Sequence, residues 1–257
     1  MIKKRLIGMV TVKDGRAVQS FGYRRYLPLG KPEVLIDNLD RWGADEIVLQ
    51  CIDRTRQGVG PDLDLLERVS ALGLSTPLIY GGGIRTVAEG IAAIQAGSDR
   101  ICVDAVLHDD PKVAEGLANA LGAQAVVAAL PLSKTYEGIG WYDYTIGSSG
   151  AFHPELVSLL KSGVISEAMV IDWQAEGRRG GFNMELIDGF PVPEVPLIAF
   201  GGLSEASQLS EALARPAVVA VGIGNFLAYR EHAVQQYKLQ LAEHPLRPAF
   251  FENVLVN

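Results

Sequence analysis

Two glycine-rich turns are the places where this chain is best suited to bind an anion. Gly81, Gly82 and Gly83 follow the apolar run "TPLIY", and Gly201 and Gly202 follow "VPLIAF". Backbone N–H groups approach an anion closely where no side chain intervenes, which is the chemistry of a phosphate cradle. A lone glycine pair is more often only a tight turn. Two such turns, repeated at 200 − 80 = 120 residues, favour a phosphorylated small molecule with two anionic ends.

Other reactive residue types are sparse. The stretch "GMVTVKDGR", residues 8–16, ends an alternating apolar strand at Thr11, whose hydroxyl does not titrate near neutrality. Cys51 and Cys102 each lie in a strand-like apolar run, and we interpret both as small buried hydrophobic residues. The four histidines are scattered rather than spaced as metal ligands. We therefore expect no metal site and no cofactor.

Composition excludes several classes of partner. The chain has 257 residues, of which 48% are hydrophobic, with a net charge of −7 and a pI near 5.2. Such an acidic chain has no basic surface for a phosphate backbone, so nucleic acid is not an expected partner. The run "MIKKRLIGMV" is too short for a signal peptide and no run reaches membrane-spanning length. Two cysteines fit a reducing cytoplasm.

The elements that position these residues repeat along the chain. Eight strand-like runs, each followed by an amphipathic helical stretch, predict a single α/β domain over residues 1–257, a (β/α)8 TIM barrel. The runs are "RLIGMVTV", "DEIVLQCI", "TPLIYGGG", "RICVDAV", "QAVVAAL", "EAMVIDW", "VPLIAFGG" and "AVVAVGI". Loops after the strands form the active face of such a barrel, and "GIGNF" would add Gly224 and Asn225 to the second cradle.

The two halves of the chain resemble each other. "DEIVLQCIDRTRQGVGPDLDLL" and "SEAMVIDWQAEGRRGGFNMELI" align without a gap, which pairs Glu46 with Glu167 (167 − 46 = 121). "YGGGI" and "FGGLS" repeat at 200 − 80 = 120, which pairs Tyr80 with Phe200. This indicates an internal half-barrel duplication.

Several of these stretches resemble the HisF family, the cyclase subunits of imidazole glycerol phosphate synthase. They are "VTVKDGRAV", "GADEIVL", "GGGIRT", "AGSDRI", "AQAVVAAL" and "LIAFGG". The resemblance covers almost the whole chain. It implies a barrel that receives ammonia from a HisH-like glutaminase at its N-terminal face and uses it to cleave and cyclise a bis-phosphorylated intermediate.

The resemblance breaks at the catalytic positions. The family's two catalytic aspartates match Thr11 and Pro131, neither of which transfers a proton as a carboxylate does. In the first cradle, Asp104 stands where the family has asparagine, and a carboxylate repels an anion. The second cradle is better preserved, since Gly177, Gly202 and Gly224 match, with Glu176 in place of aspartate and Asn225 in place of serine.

The opposite face keeps the family's pattern. Four strand-start charges match the family's ammonia gate, and Asp99 and Gln124 match residues that contact the glutaminase. Two cations and two anions in a narrow ring neutralise one another. The alternative is a solvated ring that only closes the barrel floor. The four gate positions are Arg5, Glu46, Arg100 and Glu167.

Three functions remain open from the sequence. In the first, the barrel docks a glutaminase and passes ammonia to another acceptor, as in HisF-like proteins thought to feed a sugar amidotransferase in surface-polysaccharide or flagellin-sugar pathways. In the second, the chain keeps a cyclase or related lyase activity of histidine biosynthesis, with other groups replacing the aspartates. In the third, the barrel binds a sugar nucleotide without chemistry. The candidate replacements are Lys13, Asp14, Asp104 and Asp172.

Overall fold

A computed structural model describes residues 3–249, so the predicted domain over residues 1–257 extends past the described part at both ends. Twelve strands alternate with helices within that part. The strands are β1 (Arg5–Lys13), β2 (Arg16–Phe21), β3 (Arg25–Gly30), β4 (Glu46–Cys51), β5 (Leu78–Gly81), β6 (Arg100–Val103), β7 (Val126–Thr135), β8 (Gly138–Asp143), β9 (Ser148–Gly150), β10 (Glu167–Asp172), β11 (Leu197–Phe200) and β12 (Val218–Ile223).

The helices follow the barrel strands. They are α1 (Pro32–Arg41), α2 (Leu63–Ser70), α3 (Val87–Gln95), α4 (Ala105–Asp109), α5 (Lys112–Leu121), α6 (Pro154–Lys161), α7 (Glu185–Asp188), α8 (Ala206–Leu213) and α9 (Ala233–Gln240), with 3₁₀ turns at Ala123–Ala125 and Asn225–Tyr229. Local sequence starts them in a recognisable way. Asp62 accepts a hydrogen bond from the Leu65 amide to cap α2, and Thr86 and Glu89 form a reciprocal capping box on α3.

Eight parallel strands close into a ring in the order β1, β4, β5, β6, β7, β10, β11, β12 and back to β1. The predicted (β/α)8 TIM barrel is confirmed. Because side chains alternate along a strand, Leu6 and Val10 face the helices whereas Ile7 and Met9 face the barrel axis. The core therefore has two layers: a large one between strands and helices, and a small one inside the barrel.

The duplication is visible in the structure, but one part of the sequence alignment was wrong by one residue. A Cβ atom added to Gly82 would meet the carbonyl oxygen of Cys51, and one added to Gly201 would meet that of Asp172. Cys51 and Asp172 end equivalent strands of the two halves, so the two glycines are equivalent, with 201 − 82 = 119. The 120-residue pairing of Tyr80 with Phe200 fails because Tyr80 packs outward and Phe200 packs inside the barrel. A shift of one residue in a strand exchanges its two faces.

Two antiparallel additions extend the carboxyl ends of the barrel strands. The loop after the first barrel strand folds as the hairpin β2–β3, and β2 pairs with β1 from Thr11 to Lys13. The loop after β7 folds as the meander β8–β9, in which Trp141 is 1% exposed and pairs with Leu132. Both additions bring aromatic side chains over the barrel mouth.

The amino end of the barrel is tied to the last helix. Lys238 of α9 donates to the carboxylate of Asp45 at 2.7 Å, and the other carboxylate oxygen accepts from the Leu6 amide at 2.8 Å. The side chains are 5% and 3% exposed, so this ion pair is almost fully desolvated. Removing one partner leaves the other charge buried without compensation.

We predict that Lys238→Met lowers the free energy of unfolding by about 3–5 kcal/mol, measured by urea denaturation. The double variant Lys238→Met/Asp45→Leu should recover part of that loss, because no unpaired charge remains. Lys161→Met, at an exposed lysine that ends α6, is the matched control and should change stability little. An equal loss in the single and double variants would contradict this account.

Candidate functional site

Four charged side chains meet at the amino end of the barrel. Arg5 contacts Glu46 at 2.7 Å and Glu167 at 2.6 Å, and Arg100 contacts the same two carboxylates at 3.3 and 2.9 Å. Each cation therefore touches both anions, and the four ion pairs form a closed cycle. The structure brings together all four residues that the sequence assigned to a gate.

Burial and the opposite charges of the neighbours act against each other on Arg5 and Glu46. Burial alone lowers the pKa of Arg5, yet Glu46 and Glu167 raise it above its ordinary value. Burial raises the pKa of Glu46, and the two guanidinium groups offset only part of that. Arg100 also donates to the Ser166 hydroxyl at 2.9 Å. The ring is thus a neutral, hydrogen-bonded closure of the barrel floor, which is the condition for burying charge.

The two predicted glutaminase contacts lie beside this ring. Asp99 immediately precedes Arg100 in the chain and is exposed, although one of its carboxylate oxygens accepts from the Leu78 amide at 2.8 Å. Gln124 is exposed, and its backbone carbonyl oxygen accepts a hydrogen bond from Nε of Arg100 at 2.9 Å. The two residues therefore border one end of the barrel together with the ring.

Above the ring, the barrel interior is uncharged. Its side chains are Ile7, Met9, Val48, Ile79, Cys102, Val127, Ala129, Met169, Ile171, Ile198, Phe200 and Ala220. Cys51 and Cys102 are buried as predicted, and burial raises the pKa of both thiols to about 12. Neither thiol is a nucleophile at neutral pH.

A cavity of about 330 Å³ opens at the carboxyl end of this interior. Pro131, Ala129 and Met169 line its inner part, and the tip of the β2–β3 hairpin covers it with Tyr23. Trp173 follows β10 and stacks on Tyr142 with ring centroids 4.0 Å apart. The walls are therefore aromatic.

The two positions that match the family's aspartates differ in their surroundings. Thr11 is 8% exposed, lies between Gln50 of β4 and Val18 of β2, and does not line the cavity. Pro131 lines it but has no group that moves a proton. No pair of carboxylates therefore faces the mouth from β1 and β7.

Only one of the four candidate replacements lies in the mouth. Lys13 and Asp14 pair with each other at the surface. Asp172 points outward, because its carboxylate accepts from the amides of Ala175 and Asn183 at 3.0 and 2.9 Å. Asp104 lines the cavity. The structure thus excludes three of the four from a mouth-facing role and leaves Asp104.

Asp104 is an unusual carboxyl group. Its Oδ1 is buried without a hydrogen-bond partner in the described part of the chain. Burial raises the pKa of Asp104 well above its ordinary value, and the negative charge of Asp143 adds to the increase. A buried polar atom without a partner costs free energy, and such atoms mark places where a ligand supplies the missing hydrogen bond.

The second predicted cradle is in contact with the β2–β3 hairpin. Asn225 donates to the Ser20 carbonyl at 2.7 Å and accepts from the Ser20 amide at 3.2 Å. A Cβ on Gly177 would lie 2.2 Å from the same carbonyl oxygen. Glu176, 3% exposed, accepts from the Ser20 hydroxyl at 2.9 Å and from the Tyr23 amide at 3.3 Å. Gly177 and Asn225 thus come together around the Ser20 backbone.

The remaining cradle glycines hold tight turns. Gly201 and Gly202 have φ of +104° and +85°, and a Cβ on either would overlap neighbouring backbone. Gly82 and Gly83, with φ of +132° and +72°, are their counterparts in the other half and line the mouth cavity. Gly224 lies against Met9 and Phe200 at the end of β12. Phosphate binding at these turns stays a prediction.

Sequence reasoning missed several residues of the mouth. Gln50, Arg56 and Trp173 all line the cavity, and none was selected. A signal existed for two of them: Gln50 continues the inward series from Glu46 and Val48, as Trp173 does from Met169. The same alternation separates the inward Asp104 from the outward Asp172.

The geometry defines a (β/α)8 barrel with a closed charge ring at one end and an aromatic cavity at the other. Within residues 3–249 no helix is both long and apolar enough to cross a bilayer.

Comparison with known proteins gives the family. The model of the family described as "Histidine biosynthesis protein" matches residues 5–233. The HisF subunit of imidazole glycerol phosphate synthase from Geobacillus kaustophilus is 34% identical over 251 residues, which cover 95% of this chain and 98% of that protein. The HisF subunit from Exiguobacterium sibiricum is 31% identical over 230 residues, which cover 88% of this chain and 91% of that protein. The HisF subunit from Bacillus subtilis is 29% identical over 249 residues, which cover 95% of this chain and 98% of that protein. The chain belongs to the HisF family, and the resemblance found in the sequence is confirmed.

The raised pKa of Asp104 makes a prediction for stability. When the pKa of a carboxyl group is higher in the folded than in the unfolded state, the group favours the fold at low pH, where it is protonated. That contribution to the free energy of unfolding is lost as pH rises and the group ionises. We therefore expect Asp104→Asn to gain stability relative to the unmodified chain above pH of about 4, by up to about 1.4 kcal/mol per pH unit. Urea denaturation at several pH values between about 4 and 9, above the ordinary pKa of an aspartate, measures the difference in free energy of unfolding between the two proteins.

Asp109→Asn, at an exposed aspartate that ends α4, is the matched control for that series and should change stability little. A stability difference between Asp104→Asn and the unmodified chain that does not change with pH would show that Asp104 is not a perturbed buried carboxyl group.

Proposed function

We propose that this HisF-like protein is the ammonia-delivering subunit of a glutamine amidotransferase complex. It docks a HisH-like glutaminase at its amino face and releases ammonia at the mouth to an acceptor other than the cyclase substrate. The observation that carries this proposal is the mouth itself, where Thr11 is buried beside the hairpin and does not line the cavity, and Pro131 lacks an ionisable group. The family's cyclase chemistry uses one carboxylate as general base and another as general acid, and this pair is absent.

The interior supports transport of a neutral molecule. The side chains between the ring and the cavity are uncharged, so they neither protonate ammonia nor bind it strongly. The ring of Arg5, Glu46, Arg100 and Glu167 closes the amino end and excludes ions by its neutral, paired state. Passage then requires a rearrangement of these side chains.

The relatives support the partner. Their names describe HisF as a subunit of imidazole glycerol phosphate synthase, and this chain covers 98% of two of them. We extend the subunit role to this chain and assign Asp99 and Gln124 to the docking face. The acceptor we favour is a sugar of a surface polysaccharide or flagellin, modified by a separate sugar amidotransferase in the cytoplasm.

A second candidate function is retained because of Asp104. This carboxyl group lines the mouth on the same side as Pro131, and a raised pKa suits a general acid at neutral pH. It supports a cyclase or lyase of histidine biosynthesis that uses one carboxyl group in place of two.

The cyclase assay separates the two functions. The purified chain receives the family's phosphoribulosyl-formimino ribonucleotide with excess ammonium salt at alkaline pH, which bypasses the glutaminase, and imidazole product is followed. We expect no turnover above buffer, with a HisF relative as positive control. Turnover that disappears in Asp104→Asn would replace the first proposal with the second.

Docking gives an independent prediction. Gln124→Lys should raise the Kd for a HisH-type glutaminase by about tenfold or more, because it places a desolvated charge beside Arg100 in the interface. Titration calorimetry measures the Kd. Gln57→Lys, at an exposed position in the loop after β4, is the control and should bind normally. Absence of any complex, or equal weakening by both variants, counts against the docking face.

A further inference from the structure

The mouth cavity contains more binding groups than an exit for ammonia needs. Its volume of about 330 Å³ is that of a site for one small molecule. The lining combines aromatic rings, neutral polar groups, one carboxyl group and two guanidinium groups at the rim. The aromatic rings are those of Tyr23, Tyr26, Tyr142, Tyr144 and Trp173. The neutral polar groups include Gln50 and Thr55, the carboxyl group is that of Asp104, and the guanidinium groups are those of Arg24 and Arg56.

Among residues 3–249, Asp104 is the single acidic residue that lines this cavity. Its unpartnered Oδ1 lacks a donor that a ligand would supply, and Nε1 of Trp173 is likewise buried without an acceptor. Tyr23 and Tyr144 line the same cavity as Asp104, so their hydroxyl groups add to this polar lining. A ligand with several hydroxyl groups satisfies such a region.

The aromatic wall favours a ring-shaped ligand. Tyr142 and Trp173 stack with an interplanar angle of 15°, so each ring covers one face of the other and the pair forms one rigid aromatic unit in the cavity wall. Carbon-bound hydrogens of a sugar ring pack against aromatic faces, while hydroxyl groups at its edge reach polar neighbours. The neighbouring Gln50 amide and Thr55 hydroxyl provide further donors and acceptors at the wall.

The rim adds positive charge. The Arg24 guanidinium lies 5.8 Å from the Trp173 ring centroid, and that of Arg56 lies 5.5 Å from the Tyr144 ring centroid. Neither arginine forms a salt bridge with a carboxylate among residues 3–249; Arg56 donates only to the Tyr144 carbonyl, at 2.8 Å. Exposed guanidinium groups without a carboxylate partner are suited to bind an anionic substituent.

The charged residues of the cavity also determine the orientation of a bound ligand. Asp104 follows β6 and lines the same cavity as the glycine turn at Gly82 and Gly83, so a phosphate there would face a carboxyl group. We propose that the mouth binds an anionic monosaccharide. Its ring packs on the aromatic wall, a ring hydroxyl bonds to Asp104, and its anionic group contacts Arg24 and Arg56. This rests on the proposed function, in which such a sugar is the ammonia acceptor.

Titration calorimetry on the chain alone tests the proposal. The probes are glucuronate and glucose 6-phosphate, with glucose and inorganic phosphate for comparison. Either anionic sugar should bind with a Kd about tenfold or more below those of glucose and phosphate. Asp104→Ala should raise that Kd by about tenfold, and Arg24→Gln/Arg56→Gln should reduce binding to the level of glucose. Asp109→Asn, at an exposed neighbour outside the lining, should bind as the unmodified chain does.

Clear results overturn this assignment. The first is the absence of saturable binding of either anionic sugar up to about 10 mM. The second is phosphate binding as tight as sugar binding, and the third is an unchanged Kd in folded Asp104→Ala. Asp104→Asn keeps the side-chain shape and serves if the alanine variant fails to fold; it should weaken sugar binding and strengthen phosphate binding. The calorimetry contains neither glutaminase nor ammonium. A lack of sugar binding therefore overturns this inference alone, and the docking and cyclase assays test the proposed function separately.

Discussion

Closure of eight parallel strands is the constraint on which every other feature of this molecule depends. In a closed ring, the side chains of each strand alternate between the helices and the axis, so the axis receives stacked layers of residues from different strands. Arg5, Glu46, Arg100 and Glu167 form one such layer, and the uncharged interior forms the layers above it. Desolvation makes charges costly in the first layer, and they are tolerated there only because they come as two cations and two anions.

The mouth follows the same rule with a different result. Thr11, Gln50 and Asp104 are the last inward positions of their strands by alternation, and only Asp104 carries an ionisable group. The β2–β3 hairpin then covers this end, held by the Glu176 carboxylate, which accepts from the Ser20 hydroxyl and the Tyr23 amide. Tyr23 itself has φ of +53°, a conformation that non-glycine residues seldom adopt, so these contacts hold a strained tip over the cavity.

Much of the fold follows from the sequence because its signals are local. Periodic apolar runs predicted all eight barrel strands, and the charged strand starts converge as the family resemblance implied. The errors came where one residue of register matters: the shifted glycine turns, and the grouping of Asp172 with Asp104 although the two face opposite sides. The contact of Asn225 with Ser20 joins residues 205 positions apart, and no local pattern in the sequence predicts it.

The amino end shows how alternation couples stability to the proposed docking face. Asp45 and Glu46 are consecutive, so one reaches Lys238 of the last helix while the other enters the charge ring. The start of β4 is therefore held from outside by a buried ion pair, at the same place where the proposed passage of ammonia requires the ring to open. Because the strand cannot shift without breaking that pair, opening has to come from the side chains. Arg5 and Arg100 are the flexible members, and a partner that offers other acceptors to their guanidinium groups would open the ring without moving the barrel.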